Sequence, residues 1–138
     1  MSRPEVLVVA AALYDAAGRV LIAQRPAGKP QAGRWEFPGG KVAAGEPEAG
    51  ALDRELREEL GIRVDACAPL MRLVHDYPER RVHLSLWIVQ RYRGVPGSLE
   101  GQALKWVAPA ELAGQDILEA DRPFIAALCK LGGPGSAV

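Results

Sequence analysis

Apolar positions recur along this chain in two periods. Residues 6–14 (VLVVAAALY) form a nearly continuous apolar run with β-branched members, the pattern of a strand covered on both faces. Residues 15–18 turn the chain, and residues 19–25 (RVLIAQR) return as a second strand, which predicts a hairpin. Residues 26–33 are loop by composition, and residues 35–37 make a brief strand leading into Pro38-Gly39-Gly40. Between Gly40 and Ile62 the period switches to about 3.6, the helical repeat. Ala49, Leu52, Leu56 and Leu60 then stack into one apolar stripe. Pro47 suits the first turn of that helix and Gly61 its C-terminal stop.

Beyond the helix, residues 64–70 and 72–77 are extended, and Pro78-Glu79-Arg80 is a turn. Residues 81–92 alternate in their first half, with Val82, Leu84 and Leu86 on one face, and complete a long hairpin. Residues 93–101 are loop and carry Glu100, and residues 104–107 are a last short strand. Residues 109–112 begin a short helix. Asp121-Arg122-Pro123 opens a final one, with Asp121 as its cap and Phe124, Ile125, Leu128 and Leu131 as its apolar positions. The closing GGPGSAV reads as a disordered tail. Arg3 followed by VLVVAAAL has the outline of a signal-peptide core, but the turn and second apolar run behind it favour a strand. No apolar run is long enough to cross a bilayer.

Strands alternating with two main helices argue an α/β or α+β domain, and 138 residues suit one domain. The 17 basic residues balance the 17 acidic ones, so no global field exists to hold a nucleic-acid polymer. A small anionic ligand needs only local charge. Cys67 and Cys129 match no metal spacing and read as small buried hydrophobes, which suits a reducing, cytoplasmic setting.

The helix carries the chemistry. Glu55, Glu58 and Glu59 project from one flank of the apolar stripe. Asp53–Arg57 and Arg54–Glu58 have the spacing of ordinary surface ion pairs, so a solvated face is one reading. The other is a metal site. Three crowded carboxylates repel one another unless a cation sits among them, and Mg²⁺ takes such oxygen ligands together with substrate phosphates.

The spacing Gly40, Glu46, Arg54-Glu55-Leu56, Glu58-Glu59, Gly61-Ile62 resembles the complete Nudix box. Trp35 to Lys41 (WEFPGGK) resembles the lead-in of the MutT branch. Glu100-Gly101-Gln102 with Trp106 resembles that branch's distal loop, and Arg25 and Ala120-Asp121-Arg122-Pro123 fall where it has base-side residues. The resemblance covers residues 5–131 and implies a Nudix α/β/α sandwich, a mixed sheet between helices. It implies Mg²⁺ or Mn²⁺ held by Glu55, Glu58, Glu59, Glu100 and the Gly39 carbonyl. Either Glu55 or Glu100 takes the proton. Arg54 touches phosphate or orients a neighbouring glutamate. Arg25, Phe37, Lys41, Tyr77 and Asp121 are the implied substrate residues. Arg25 also reads as a solvated strand-end charge, and Tyr77 as core packing. His75 and His83 read as structural or surface groups, and Trp35, Trp87 and Trp106 as core or rim.

The implied reaction is metal-dependent hydrolysis of a nucleoside triphosphate to monophosphate and pyrophosphate, without nucleic-acid or membrane partners, by a monomer or homodimer. MutT-type 8-oxo-dGTP diphosphatases place asparagine where this chain has Asp121. An ionised carboxylate only accepts hydrogen bonds, so Asp121 suits base edges that present N–H groups. The 8-oxoguanine edge and the cytosine amine both qualify, and the segment also resembles the CTP and 5-methyl-dCTP pyrophosphohydrolases. The lead expectation is 8-oxo-dGTP and nucleotide-pool sanitation, serving replication fidelity and DNA repair. A non-catalytic nucleotide-binding module is the reading from another class. An ADP-ribose or dinucleoside polyphosphate hydrolase has no extra signature here.

Overall fold

The computed structural model describes residues 4–131. The closing GGPGSAV and Arg3 lie outside the described residues. Seven strands run in the order β1 (Glu5–Leu13), β2 (Val20–Gln24), β3 (Trp35–Glu36), β4 (Gly39–Lys41), β5 (Arg63–Asp76), β6 (Arg81–Arg93) and β7 (Leu104–Val107). Helix α1 (Glu48–Leu60) falls between β4 and β5, and α2 (Pro123–Leu131) closes the described chain. Short 3₁₀ turns cover Pro109–Gly114 and Glu119–Asp121.

One sheet is mixed, in the order β4-β1-β6-β5, with β1 and β6 parallel from Glu5↔Arg81 to Leu13↔Val89. The other, β3-β2-β7, is antiparallel. The predicted β1–β2 hairpin therefore does not form as a ladder. Both edges of β1 are already taken by β4 and β6, so β2 is carried into the second sheet. Only an isolated bridge, Tyr14↔Val20, remains between them. Asp15 makes the turn, its Oδ1 accepting the Ala17 and Arg19 N–H groups at 3.0 and 2.8 Å.

Alternation along β1 feeds two cores. Val9, Ala11 and Leu13 pack with α1, while Ala10, Ala12 and Tyr14 pack with Phe124, Ile125 and Leu128 of α2. The helices thus cover opposite sides of the sheet layer, the expected α/β/α sandwich. The first residues of β1 are less covered than predicted: Glu5 is exposed and Val6 to Val8 are only partly buried. The α1 stripe is Ala51, Leu52, Leu56 and Leu60, all buried, whereas the predicted Ala49 is partly covered in the first turn. Truncating one of those leucines to alanine costs roughly 2–5 kcal/mol, the transfer term plus the cavity left behind. Gly61 ends α1 in the left-handed conformation at φ 75°, its N–H returning to the Arg57 carbonyl at 3.0 Å.

The two extended segments predicted after α1 are one strand. Its pairing with β6 shifts register three times, once at Pro69/Met71, where proline has no N–H to give the ladder. Asp121 is not a helix cap. It ends a 3₁₀ turn and is turned inward. The cysteines also depart from expectation: Cys67 is half-buried, and Cys129 is exposed with its thiol against the Pro109 carbonyl at 3.3 Å. No described helix is long and apolar enough to cross a membrane.

Candidate active site

A cleft of about 780 Å³ opens between β1, β2, the β3–β4 segment and α1. Gly39, Gly40, Lys41, Glu55, Glu59 and Glu100 line one end, and Arg25, Glu36, Phe37, Arg80 and Asp121 the other.

The carboxylate end depends on two close approaches. β4 lies antiparallel on β1, pairing Ala10 with Gly39 and Val9 with Gly40. A Cβ on Gly39 would sit 2.0 Å from the Val9 carbonyl oxygen, and one on Gly40 2.3 Å from the Glu55 carboxyl. Only glycine lets the β4 backbone, the central strand and the Glu55 side chain meet there.

Arg54 organises this end. Its Nε and Nη2 grip both oxygens of Glu46 at 2.8 and 2.9 Å, a bidentate pair. Nη2 also donates to the Lys41 carbonyl at 3.0 Å, and Nη1 to Glu55 Oε1 at 2.9 Å. Glu46 closes the loop by accepting the Ala43 N–H at 3.0 Å. The guanidinium holds the Glu46 carboxyl at about 2, well below the usual range. One arginine thereby pins the β4–α1 loop and fixes the direction of Glu55.

Burial pushes the Glu59 carboxyl up to about 8, with the charges of Glu55, Glu100 and Glu36 adding to the rise and a Gly39 N–H opposing it. Burial also raises Glu55 against the pull of Arg54, and Glu58 and Glu100 raise it further. Glu58 stands apart: its side chain is 56% exposed, 3.6 Å from Arg54, and does not line the cleft. Among the described residues no three acidic, imidazole or thiol groups converge closely enough to enclose an ion as they stand. The donor set still suits a hard divalent cation. Against the mutual repulsion of these carboxylates stand one Arg54 N–H on Glu55 and the Gly39 N–H on Glu59, which leaves the site short of positive charge.

The other end is built on Asp121, only 5% exposed. Its Oδ2 accepts the Phe37 N–H at 3.0 Å. Burial pushes its carboxyl to about 7, the Phe37 amide and Arg25 working against the rise and Glu36 with it. Arg25 donates from Nη1 to Glu36 at 3.1 Å and from Nε to the Pro30 carbonyl at 2.7 Å. Burial raises Glu36 too, offset by Arg25 and Lys29.

The predicted residues are thus mostly brought together, with three departures. The Phe37 ring is buried in the core, edge-on to Phe124 at 6.2 Å, so the residue offers the cleft its backbone rather than its ring. Tyr77 does not line the cleft. It packs between His75 at 4.7 Å and the Arg80 guanidinium at 5.2 Å, near enough to Asp121 for that charge to raise its phenol, after burial. Glu58 sits at the rim. Lys29, Arg80, Glu36 and Gln102 also line the cleft; the sequence placed Glu36 and Gln102 inside family-like segments but gave none of the four a role. The signal for Glu36 was a charge set between Trp35 and Phe37 on a strand headed for the site. Trp35, Trp87 and Trp106 are partly buried against the cores.

A family profile described as NUDIX domain matches residues 9–127. The CTP pyrophosphohydrolase of Escherichia coli K12 is 39% identical over 127 residues, covering 92% of this chain and 94% of that protein. The 8-oxo-dGTP diphosphatase of the same strain is 37% identical, over 81% of this chain and 87% of its own length. A solved structure from a study of MutT from Aliivibrio salmonicida and Vibrio cholerae superposes with a TM-score of 0.80 at 33% identity, covering 91% of this chain and 98% of that one. The spacing from Gly40 to Ile62, the Glu55 and Glu59 carboxylates at one cleft and these relatives agree: the chain belongs to the Nudix family, among its MutT-like hydrolases.

Proposed function

We propose that the protein is a nucleoside triphosphate pyrophosphohydrolase, with 8-oxo-dGTP as lead substrate, working as one Nudix domain over about residues 5–131. The observation that carries this reading is the pairing of crowded, raised carboxylates at one end of a cleft with a single buried carboxyl, Asp121, at the other. A triphosphate calls for the first and a base edge for the second.

In this reading Glu55, Glu59, Glu100 and the Gly39 carbonyl, with Glu58 from the rim, would hold Mg²⁺ or Mn²⁺, and the ion would neutralise phosphate charge and make water a usable nucleophile. Arg54 pulls Glu55 toward its charged form, against burial, and aims it into the cleft. Lys41 lines the same end and meets the phosphates. Either Glu55 or Glu100 takes the proton from the attacking water. Water attacks the β-phosphorus and the bond from that phosphorus to the α–β bridging oxygen breaks. The nucleoside monophosphate leaves with the bridging oxygen, and pyrophosphate carries the new one. Asp121, fixed by the Phe37 N–H, reads the base edge, with Arg25 and Tyr77 beside it. The role is sanitation of the cytoplasmic nucleotide pool, by a monomer or homodimer, without nucleic-acid partners.

A second reading, CTP or 5-methyl-dCTP as substrate, is favoured by the carboxylate at position 121 and by the likeness to the Escherichia coli enzyme of that name. Steady-state kinetics on 8-oxo-dGTP, dGTP, CTP and 5-methyl-dCTP, with Mg²⁺ and with EDTA, separate the two. Metal-dependent release of pyrophosphate with the highest kcat/KM on 8-oxo-dGTP is the expected result. Preference for the cytosine nucleotides installs the second reading. Tight nucleotide binding with no pyrophosphate from any of them would make the protein a binding module.

A further inference from the structure

Glu100 reaches the cleft from a loop, not from α1, and its place there has to be maintained against repulsion. Glu55 and Glu59 line the same cleft, and like-charged carboxylates brought together there push one another apart. The side-chain part of that restraint comes from Gln102, beside two backbone bonds from the loop to α1. The Gln102 Oε1 accepts the Glu100 backbone N–H at 3.1 Å and faces the Ser98 hydroxyl at 2.9 Å. Its Nε2 donates to the Glu59 carbonyl at 3.4 Å. The same carbonyl accepts the Leu99 N–H at 3.1 Å, and the Leu60 carbonyl accepts the Gly97 N–H at 3.0 Å.

Those carbonyls belong to the last turn of α1, where a helix leaves C=O groups without an intrahelical partner. Glu59 is therefore used twice. Its carboxyl stands in the acidic cluster, while its carbonyl anchors the loop that brings Glu100 to that cluster. Among the described residues, Gln102 is the side chain bonded both to the Glu100 backbone and to that anchor. Its amide has the two faces the task needs, an acceptor for the loop N–H and a donor for the helix carbonyl.

We infer that Gln102 is a positioning residue that sets Glu100 against Glu55 and Glu59 by tying the Glu100 backbone to the C-terminal turn of α1. The inference rests on the metal-dependent reading above. Gln102 touches neither phosphate nor cation in this account. It acts through Glu100 alone, which separates it from a residue that merely stabilises the fold.

A double-mutant cycle with Glu100 tests it. Gln102→Ala is expected to lower kcat about tenfold, the usual scale for a residue that orients a ligand, with the nucleotide KM little changed. It should weaken Mn²⁺ binding, read by electron paramagnetic resonance without substrate, by a similar factor. In a Glu100→Gln background the same substitution should change neither quantity. Gln102→Glu keeps the acceptor for the Glu100 N–H, so it should retain more of the Mn²⁺ affinity than Gln102→Ala. Equal losses with and without the Glu100 carboxylate, tracking a fall in Tm, would overturn the inference, as would unchanged Mn²⁺ affinity in Gln102→Ala. Absence of turnover in the unmodified protein would sink the proposed function instead, and the Mn²⁺ cycle would still judge Gln102.

Discussion

The two ends of the cleft raise carboxyl groups by different means. At the α1 end Glu59 is half-buried, and neighbouring charges from Glu55, Glu100 and Glu36 add to its desolvation. At the far end Asp121 stands almost alone and is raised chiefly by burial. The first arrangement is relieved by adding a cation. The second is relieved by a partner that donates a hydrogen bond or by taking up a proton. In the proposed reading a phosphate chain with its metal suits one environment and a base edge the other, so the cleft would sort the two halves of a nucleotide by how each end discharges its unfavourable charge.

The largest break in this contrast is expected from Glu59→Gln. Loss of a metal carboxylate should cut kcat by about a hundredfold or more. Stability should move the other way. A folded value near 8, above the ordinary 4.5, gives a contribution that is full below 4.5 and lost as pH rises through 8. Without metal the glutamine variant should therefore melt higher than the parent at pH 8 and above, the gap shrinking toward acid. Saturating Mg²⁺ should raise the Tm of the parent and not of the variant. Scanning calorimetry across pH, with and without Mg²⁺, checks both.

Arg54→Ala comes next. It frees Glu55 and the Glu46 loop together, and kcat should fall by roughly tenfold or more while the base preference stays put. A variant that changed preference among nucleotides would show the two ends to be coupled.

Asp121→Asn should act on the opposite end. The parent loses stability as pH rises from its ordinary 3.8 through about 7, because the buried carboxyl must ionise. The amide does not titrate, so the variant should lose the Asp121 share of that fall and keep the share that Glu59 contributes. Its kcat/KM should shift between guanine- and cytosine-type substrates by several-fold, with Mg²⁺ activation unchanged. Smallest of all, Lys29→Ala removes a cation that lowers the Glu36 carboxyl, and should leave kcat alone while raising KM by about twofold, the scale of one exposed charge.

The same contrast explains what the sequence disclosed. The α1 end is legible because Glu55, Glu58 and Glu59 share one helix, whose period is written locally. Arg54 was legible only in kind. Its grip on Glu46 and Glu55 depends on how the loop after β4 folds back, and no period encodes that. The Asp121 end depends on a bond to Phe37 across 84 positions. A cap-like Asp-Arg-Pro before a helix therefore looked local when it was tertiary. The β1–β2 hairpin failed for a like reason. Apolar alternation shows that two strands exist but not which edges are already occupied.

The parallel pairing of β1 with β6 has a bearing on how the molecule comes into being. Its partners lie on either side of the whole box helix, so β1 leaves the ribosome long before the strand that completes its sheet. Until Val82 to Val89 have emerged, the apolar run of β1 has no lasting cover and the α1 glutamates have no scaffold. Ordering of Glu55, Glu58 and Glu59 is thus deferred to late in synthesis, and the apolar segment made before it is exposed in the meantime.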